Sequence, residues 1–225
     1  MTEHISDVTG RPRPVPGPPG EAALVVVDVQ RDFADPAHLP WLSPADRDRV
    51  LAAVERTADL VGRARAAGVP VVWVRLEQDL AEPWGSSRWH RGLLDADPDT
   101  LLSREPCVAG TSGAEWFGVE PEPEEPVVAK RRYSGFHGTD LERVLHGIGA
   151  TWVTVCGLTA DCCVDSTARD AFQLGFRVVV AADATASYEE DRHSSAMRAL
   201  ALHAAVVAGS EETAAAWTAP SSDRG

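Results

Sequence analysis

Apolar, β-branched runs recur along the chain at Ala22 to Asp28, Val69 to Arg75, Pro126 to Lys130, Thr151 to Gly157 and Phe176 to Ala181, each bounded by Gly, Pro or polar residues. Runs that lack an alternation of apolar and polar positions mark strands buried on both faces. Between them stand segments of helical periodicity: Pro44 to Ala67 closed by Gly68, Thr139 to His146 closed by Gly147, and Asp161 to Leu174 closed by Gly175. Ser187 and Glu190 match a capping box for a last helix reaching to around Ala204, followed by Ala205 to Ala208 as a short sixth strand. Alternation of strand and helix implies βαβ units, so the expected fold class is α/β, a mostly parallel sheet covered by helices. The stretch from Leu76 to Glu125 lacks a clear period, holds Trp84, Trp89 and Trp116, and is too long for a simple connection. It is expected to fold over one edge of the functional site.

Length and composition narrow this further. The 225 residues, 44% of them hydrophobic, suffice for one sizeable core. The expected organisation is a Pro-rich, disordered leader over residues 1–20, one domain over 21–218 and a disordered tail over 219–225. Five prolines stand between Arg11 and Gly20 with no apolar stretch beside them, which is unlike a signal peptide. A net charge of −13 and the absence of basic runs argue against nucleic acid as a partner. No apolar stretch approaches the roughly 18 residues of a membrane span. Four cysteines, two of them the adjacent pair Cys162 and Cys163, suggest reduced thiols and a cytoplasmic setting.

Among 21 basic residues there is a single lysine, Lys130. Where guanidinium is used everywhere else, a lone ammonium marks a place that needs a compact, tunable cation, with chance usage as the alternative. In open parallel sheets, ligands sit beyond the carboxyl ends of the strands. Asp28 closes the first expected strand, Lys130 closes the third, and Cys163 opens the helix after the fourth. Each has another reading: an Asp at such an end can hold a metal, a phosphate or a helix cap, and a Cys near a helix start is often a small buried hydrophobe. Together they make a chemical set. With Asp161 as N-cap, Cys163 would lie in the first helical turn, where the dipole and Lys130 favour a thiolate. Asp28 could then take the thiol proton and return it to a leaving amine. Cys162 should point about 100° away around the helix.

These residues sit in ordered motifs: Val25-Val26-Val27-Asp28-Val29-Gln30-Arg31-Asp32-Phe33, Gly110-Thr111-Ser112-Gly113, Lys130-Arg131-Arg132-Tyr133-Ser134-Gly135-Phe136, and Gly157-Leu158-Thr159-Ala160-Asp161-Cys162-Cys163-Val164 followed by Ser166-Thr167-Ala168-Arg169-Asp170-Ala171. In these the chain resembles the isochorismatase-like cysteine hydrolases, the family of nicotinamidases, carbamoylsarcosine amidohydrolases and ureidoacrylate hydrolases, from Ala22 to around Glu212. The resemblance implies a three-layer sandwich with a six-stranded, mostly parallel sheet in Rossmann-like order. It also implies an Asp28, Lys130 and Cys163 triad that cleaves a C–N bond of a small amide, carbamoyl or ureido substrate through an acyl-enzyme on Cys163. The backbone amides of Thr159 and Cys163 would form the oxyanion hole, beside a non-proline cis peptide at Leu158–Thr159. Relatives of this kind are commonly homodimers or homotetramers.

Departures from the family pattern bear on substrate and metal. Ala160 stands where most amide-cleaving relatives have Thr, so a hydroxyl near the loop is missing. The second strand ends Trp73-Val74-Arg75-Leu76, without the Asp-x-His-Pro-like segment of metal-dependent nicotinamidases, so neither a catalytic metal nor another cofactor is expected. Arg75 could pair with a substrate carboxylate or serve in a salt bridge. Phe33, Trp84, Tyr133 and Phe136 are candidate pocket walls, with ordinary core packing as the alternative; His137 could face the pocket or be structural. Three other functions compete. A vinyl-ether hydrolase of the isochorismatase type is suggested by Arg132 to His137, although such relatives typically carry Gly where Cys163 stands. Phosphoryl transfer from Asp28 would want a second acid two residues on, where Gln30 stands. A non-catalytic family member would have no reactive cysteine.

Overall fold

The computed structural model describes residues 4–8 and 10–218. The first residues depart from the expected disordered leader. His4–Ser6 (β1) and Pro12–Pro14 (β2) pair antiparallel, with Ile5 opposite Arg13. Ile5 is buried, and the Val8 amide donates to the Val207 carbonyl at 2.8 Å. Prolines donate nothing but their carbonyls accept: Pro18 takes the Trp152 indole N–H at 2.9 Å and Pro16 takes the Arg177 guanidinium. Distant residues thus hold a segment whose own composition reads as disordered. The expected tail lies outside the described residues.

The domain itself follows the apolar runs. Ala22–Val27 (β3) is followed by the short helix Arg31–Ala34 (α1) and the long helix Pro44–Ala66 (α2). Ser43 caps α2 by accepting the Asp46 amide, Pro44 takes the first turn, and Gly68, at φ +70°, turns the chain into Val71–Leu76 (β4). The aperiodic stretch holds two short helices, Gly85–His90 (α3) and Pro98–Arg104 (α4). Then come Val127–Lys130 (β5), Leu141–Gly147 (α5), Trp152–Leu158 (β6), a π-helical turn over Ala160–Val164, Asp165–Gln173 (α6), Arg177–Ala186 (β7), Glu190–His203 (α7), Val206–Ala208 (β8) and Ser210–Thr218 (α8).

Six strands pair in the order β5-β4-β3-β6-β7-β8, and every pairing is parallel. Along β3, Ala22, Leu24 and Val26 face α2 and α8 while Ala23, Val25 and Val27 face α5, α6 and α7, each set inside its own core cluster. Burial on both faces explains why β3 has no polar alternation. Strand order reverses direction between β3 and β6, which opens a crevice at their carboxyl ends. At that crevice Gly157 lies opposite Val27, and a Cβ on Gly157 would come within 2.0 Å of the Val27 carbonyl oxygen. Only glycine allows the two strand ends to approach so closely.

Three local expectations are corrected here. The helix expected from Asp161 begins instead as the π-helical turn capped by Thr159, with α6 starting at Asp165. The capping box does not form, because the Ser187 hydroxyl donates to Asp161 Oδ1 at 2.7 Å and α7 starts at Glu190. Helix α8 was not expected, and its first residue is held by Asp183, which accepts from the Ser210 amide and hydroxyl, each at 2.7 Å.

Candidate active site

Asp28, at the end of β3, takes a left-handed φ of +50°, a conformation a non-glycine residue adopts at a cost. Its amide still donates to the Val74 carbonyl at 2.8 Å, so the turn begins while β3 remains tied to β4. Gln30, fully buried, locks the same corner: its amide nitrogen donates to the Leu76 and Ala114 carbonyls at 2.9 Å each, and its oxygen accepts the Leu76 amide at 2.8 Å. Asp32 braces the next turn, accepting the Cys107 amide at 2.7 Å and pairing with His38 Nδ1 at 2.7 Å. Gly113 is required against it, since a Cβ there would overlap the Asp32 carboxylate.

Lys130 ends β5 and reaches beneath β4 to the crevice. Its Nζ stands 2.7 Å from Asp28 Oδ2, 3.3 Å from Cys163 Sγ and 2.9 Å from the Arg132 carbonyl oxygen. Relative exposures are 0% for Asp28, 1% for Lys130 and 5% for Cys163, so the three charges and dipoles act on one another with little water between them. Both Asp28 oxygens are buried without a regular hydrogen bond, which leaves the carboxylate with acceptor capacity beside its cationic partner. Burial raises the Asp28 pKa against the opposing pull of Lys130. Burial works against the Lys130 ammonium, yet Asp28 and Cys163 outweigh it and hold Lys130 charged.

The two adjacent cysteines differ in burial and in ionisation. Cys162 is half-buried where Cys163 is buried, and the two thiols lie near enough to influence each other's ionisation. Their mutual influence lowers the Cys162 pKa and, with burial, raises that of Cys163, while Lys130 pulls both down. Burial holds Cys163 toward the neutral thiol, and the ammonium 3.3 Å from its Sγ favours the thiolate once the proton is taken. Thr159 precedes the turn: the Leu158–Thr159 peptide is cis, and the Thr159 carbonyl accepts the Cys162 and Val164 amides at 3.1 Å each.

A cavity of about 550 Å³ lies in front of this cluster, walled by Phe33, Leu76, Trp84, Tyr133 and Tyr188. Burial raises the pKa of both phenols, reinforced first by Cys162 at Tyr133 and by Cys107 at Tyr188, which keeps them neutral. Trp84 and Tyr133, packed edge to face at 4.8 Å, separate it from a second hollow of about 540 Å³ bordered by Arg132, Ser134 and His137. Two expected pocket residues are engaged elsewhere. Arg75 donates to the Ala114 carbonyl at 2.9 Å and lies 5.6 Å over the Trp116 ring, and Phe136 packs into the core against Phe176. Tyr188 went unnoticed in the sequence, although its place just beyond β7 is another strand end facing the crevice.

A family model described as Isochorismatase domain matches residues 22–212. The chain belongs to this family. Its similarity to curated members includes the ureidoacrylate amidohydrolase RutB of Methylobacterium radiotolerans, 33% identical over 186 residues, 78% of this chain and 70% of that one. The corresponding protein of Azorhizobium caulinodans is 32% identical over 186 residues, 78% of this chain and 80% of that one. Among solved structures, N-carbamoylsarcosine amidase from Thermoplasma acidophilum superposes with a TM-score of 0.64 at 26% identity, covering 85% of this chain and 97% of that one. A cysteine hydrolase from Pseudomonas syringae pv. phaseolicola shares the fold with a TM-score of 0.78 at 23% identity, over 90% and 94% of the two chains. Among the described residues no cluster of His, Cys, Asp or Glu could hold a metal ion, and no helix is long and apolar enough to cross a membrane.

Proposed function

We propose that this protein hydrolyses a C–N bond of a small amide, carbamoyl or ureido substrate through a thioester on Cys163. One observation carries the reading: a buried ammonium stands between a carboxylate and a thiol, at 2.7 Å and 3.3 Å, at the switch point of the sheet. Similarity to amidohydrolases that act on such bonds supports it. Asp28 takes the Cys163 proton, and the thiolate attacks the substrate carbonyl carbon. The oxyanion is received by the backbone amides of Thr159 and Cys163, donors fixed before reaction and so needing little reorganisation. Asp28 then protonates the leaving nitrogen, which departs as the C–N bond breaks. Its carboxylate next draws a proton from water, whose hydroxide attacks the thioester and restores the thiol with release of an acid. Lys130 keeps both anionic partners charged in turn, and Phe33, Trp84, Tyr133 and Tyr188 exclude bulk water.

Intact-protein mass spectrometry after brief incubation with a panel of small amides, ureido acids and vinyl ethers tests this. Wild type should show a transient adduct on Cys163 with the mass of one panel acyl group, and Cys163→Ala should lose turnover while keeping its circular dichroism. Equal turnover by both proteins, or vinyl-ether cleavage without an adduct, refutes it.

A further inference from the structure

The cavity walled by Phe33, Leu76, Trp84, Tyr133 and Tyr188 also carries charged groups in its lining. Arg91, Arg104, Glu105, Asp32 and His38 are among them. Glu105, only 7% exposed, is shared by two guanidiniums, Arg88 at 3.1 Å and Arg91 in closer contact. One carboxylate against two arginines leaves a positive charge, and Arg104, at the exposed end of α4, adds another without an ion-pair partner among the described residues. Asp32 opposes them, but its oxygens are engaged by His38 and the Cys107 amide. Arg91 and Arg104 thus share the cavity wall with two carboxylates that are both already engaged, and Arg88 backs Glu105 outside the wall, in a chain whose net charge is −13. With the carboxylates so engaged, the positive charge left over favours a small anion.

Arg91 is also built for recognition. Its two Nη groups are tethered, one to Glu105 and one to the Arg104 carbonyl. Of the five donors in a guanidinium, these contacts leave about three for a ligand, on a fork whose orientation is already set. Arg75, the other candidate, is occupied by the Ala114 carbonyl and Trp116. Tyr133 lines the same cavity as Arg91, and its phenol is near enough to feel the charges of both Arg91 and Cys163.

We infer that the substrate carries a carboxylate a few bonds from the cleaved C–N bond, and that Arg91, assisted by Arg104, selects it. The inference rests on the cysteine-hydrolase reading above and narrows its substrate class to acids. Electrostatic attraction acts on the acid and not on its neutral amide, while the apolar walls act on both alike.

Alkylation of Cys163 by N-iodoacetylglycine, compared with the neutral N-iodoacetylglycinamide, tests this without knowledge of the natural substrate. Both reagents carry the same reacting carbon. In wild type the acid should react faster at low salt, with the advantage shrinking as ionic strength rises. In Arg91→Gln the acid-to-amide rate ratio should fall about three- to tenfold, the effect of one partly screened charge, with the amide rate held within about twofold. Arg104→Gln, at an exposed helix end where folding is not at stake, should lower the ratio by a smaller factor. An unchanged ratio in both variants overturns the carboxylate inference while leaving Cys163 as the nucleophile. Failure of both reagents to label Cys163 in wild type overturns both readings together.

Discussion

Replacing Lys130 by Met keeps the length of the side chain and removes its charge. In the wild type the ammonium lies 3.3 Å from Cys163 Sγ, where a unit charge pair at an effective dielectric constant of about 20 interacts by about 5 kcal/mol. At about 1.36 kcal/mol per unit this would raise the thiol pKa by about three to four units if nothing relaxed. Asp28 loses its counter-charge at the same time, and burial already raises its pKa, so it would take up a proton and offset part of the loss. A fall of about two orders of magnitude or more in the rate of Cys163 alkylation by iodoacetamide at neutral pH is therefore expected, with the pH profile displaced to higher pH. The single variant should also lose about 3–5 kcal/mol of stability, as a buried ion pair does when one partner is deleted. Asp28→Asn/Lys130→Met, which removes both charges, should recover much of that stability in urea unfolding without recovering the alkylation rate. An alkylation profile within threefold of wild type at every pH in the folded single variant would refute the role given to the ammonium.

Two further outcomes follow from the packing. Gly157→Ala places a Cβ about 2.0 Å from the Val27 carbonyl oxygen at a φ of +106°, so thermal unfolding should show a loss of about 3 kcal/mol or more, with activity falling because Asp28 follows Val27. Glu125 accepts the Trp73 indole N–H at 2.6 Å and the Arg65 guanidinium at 2.8 and 2.9 Å. Burial would raise its pKa, but these donors outweigh burial and hold it below the usual range. A depressed carboxylate stabilises above its unfolded-state value of about 4.3 and ceases to as the pH falls through the folded-state value. Glu125→Gln should therefore cost about 1–3 kcal/mol near pH 7 in urea unfolding, with the difference shrinking below about pH 4.

Periodicity and composition were enough for the sheet and for the residues at its strand ends. The uninterrupted apolar runs of β3 and β6 can exist only between two helical layers, and parallel strands so buried present their carboxyl ends to one crevice. Asp28, Lys130 and Cys163 are therefore readable from position alone, the lone lysine most of all. Other features depended on partners far away in the chain. The leader is ordered by Trp152 and Arg177, more than a hundred residues on, so its prolines could not announce it. Ser187 was spent on Asp161 and not on its own helix, and the chain after β6 enters a π-helical turn where regular helical periodicity was expected. Arg75 and Arg91 look equally available in sequence, yet one is held by the Ala114 carbonyl and the other lines the cavity. Local pattern sets which backbone hydrogen bonds a segment makes and which of its faces is apolar. Which polar side chain meets which partner is decided only when the layers close, because those energies depend on distance in space and on the loss of water between the groups.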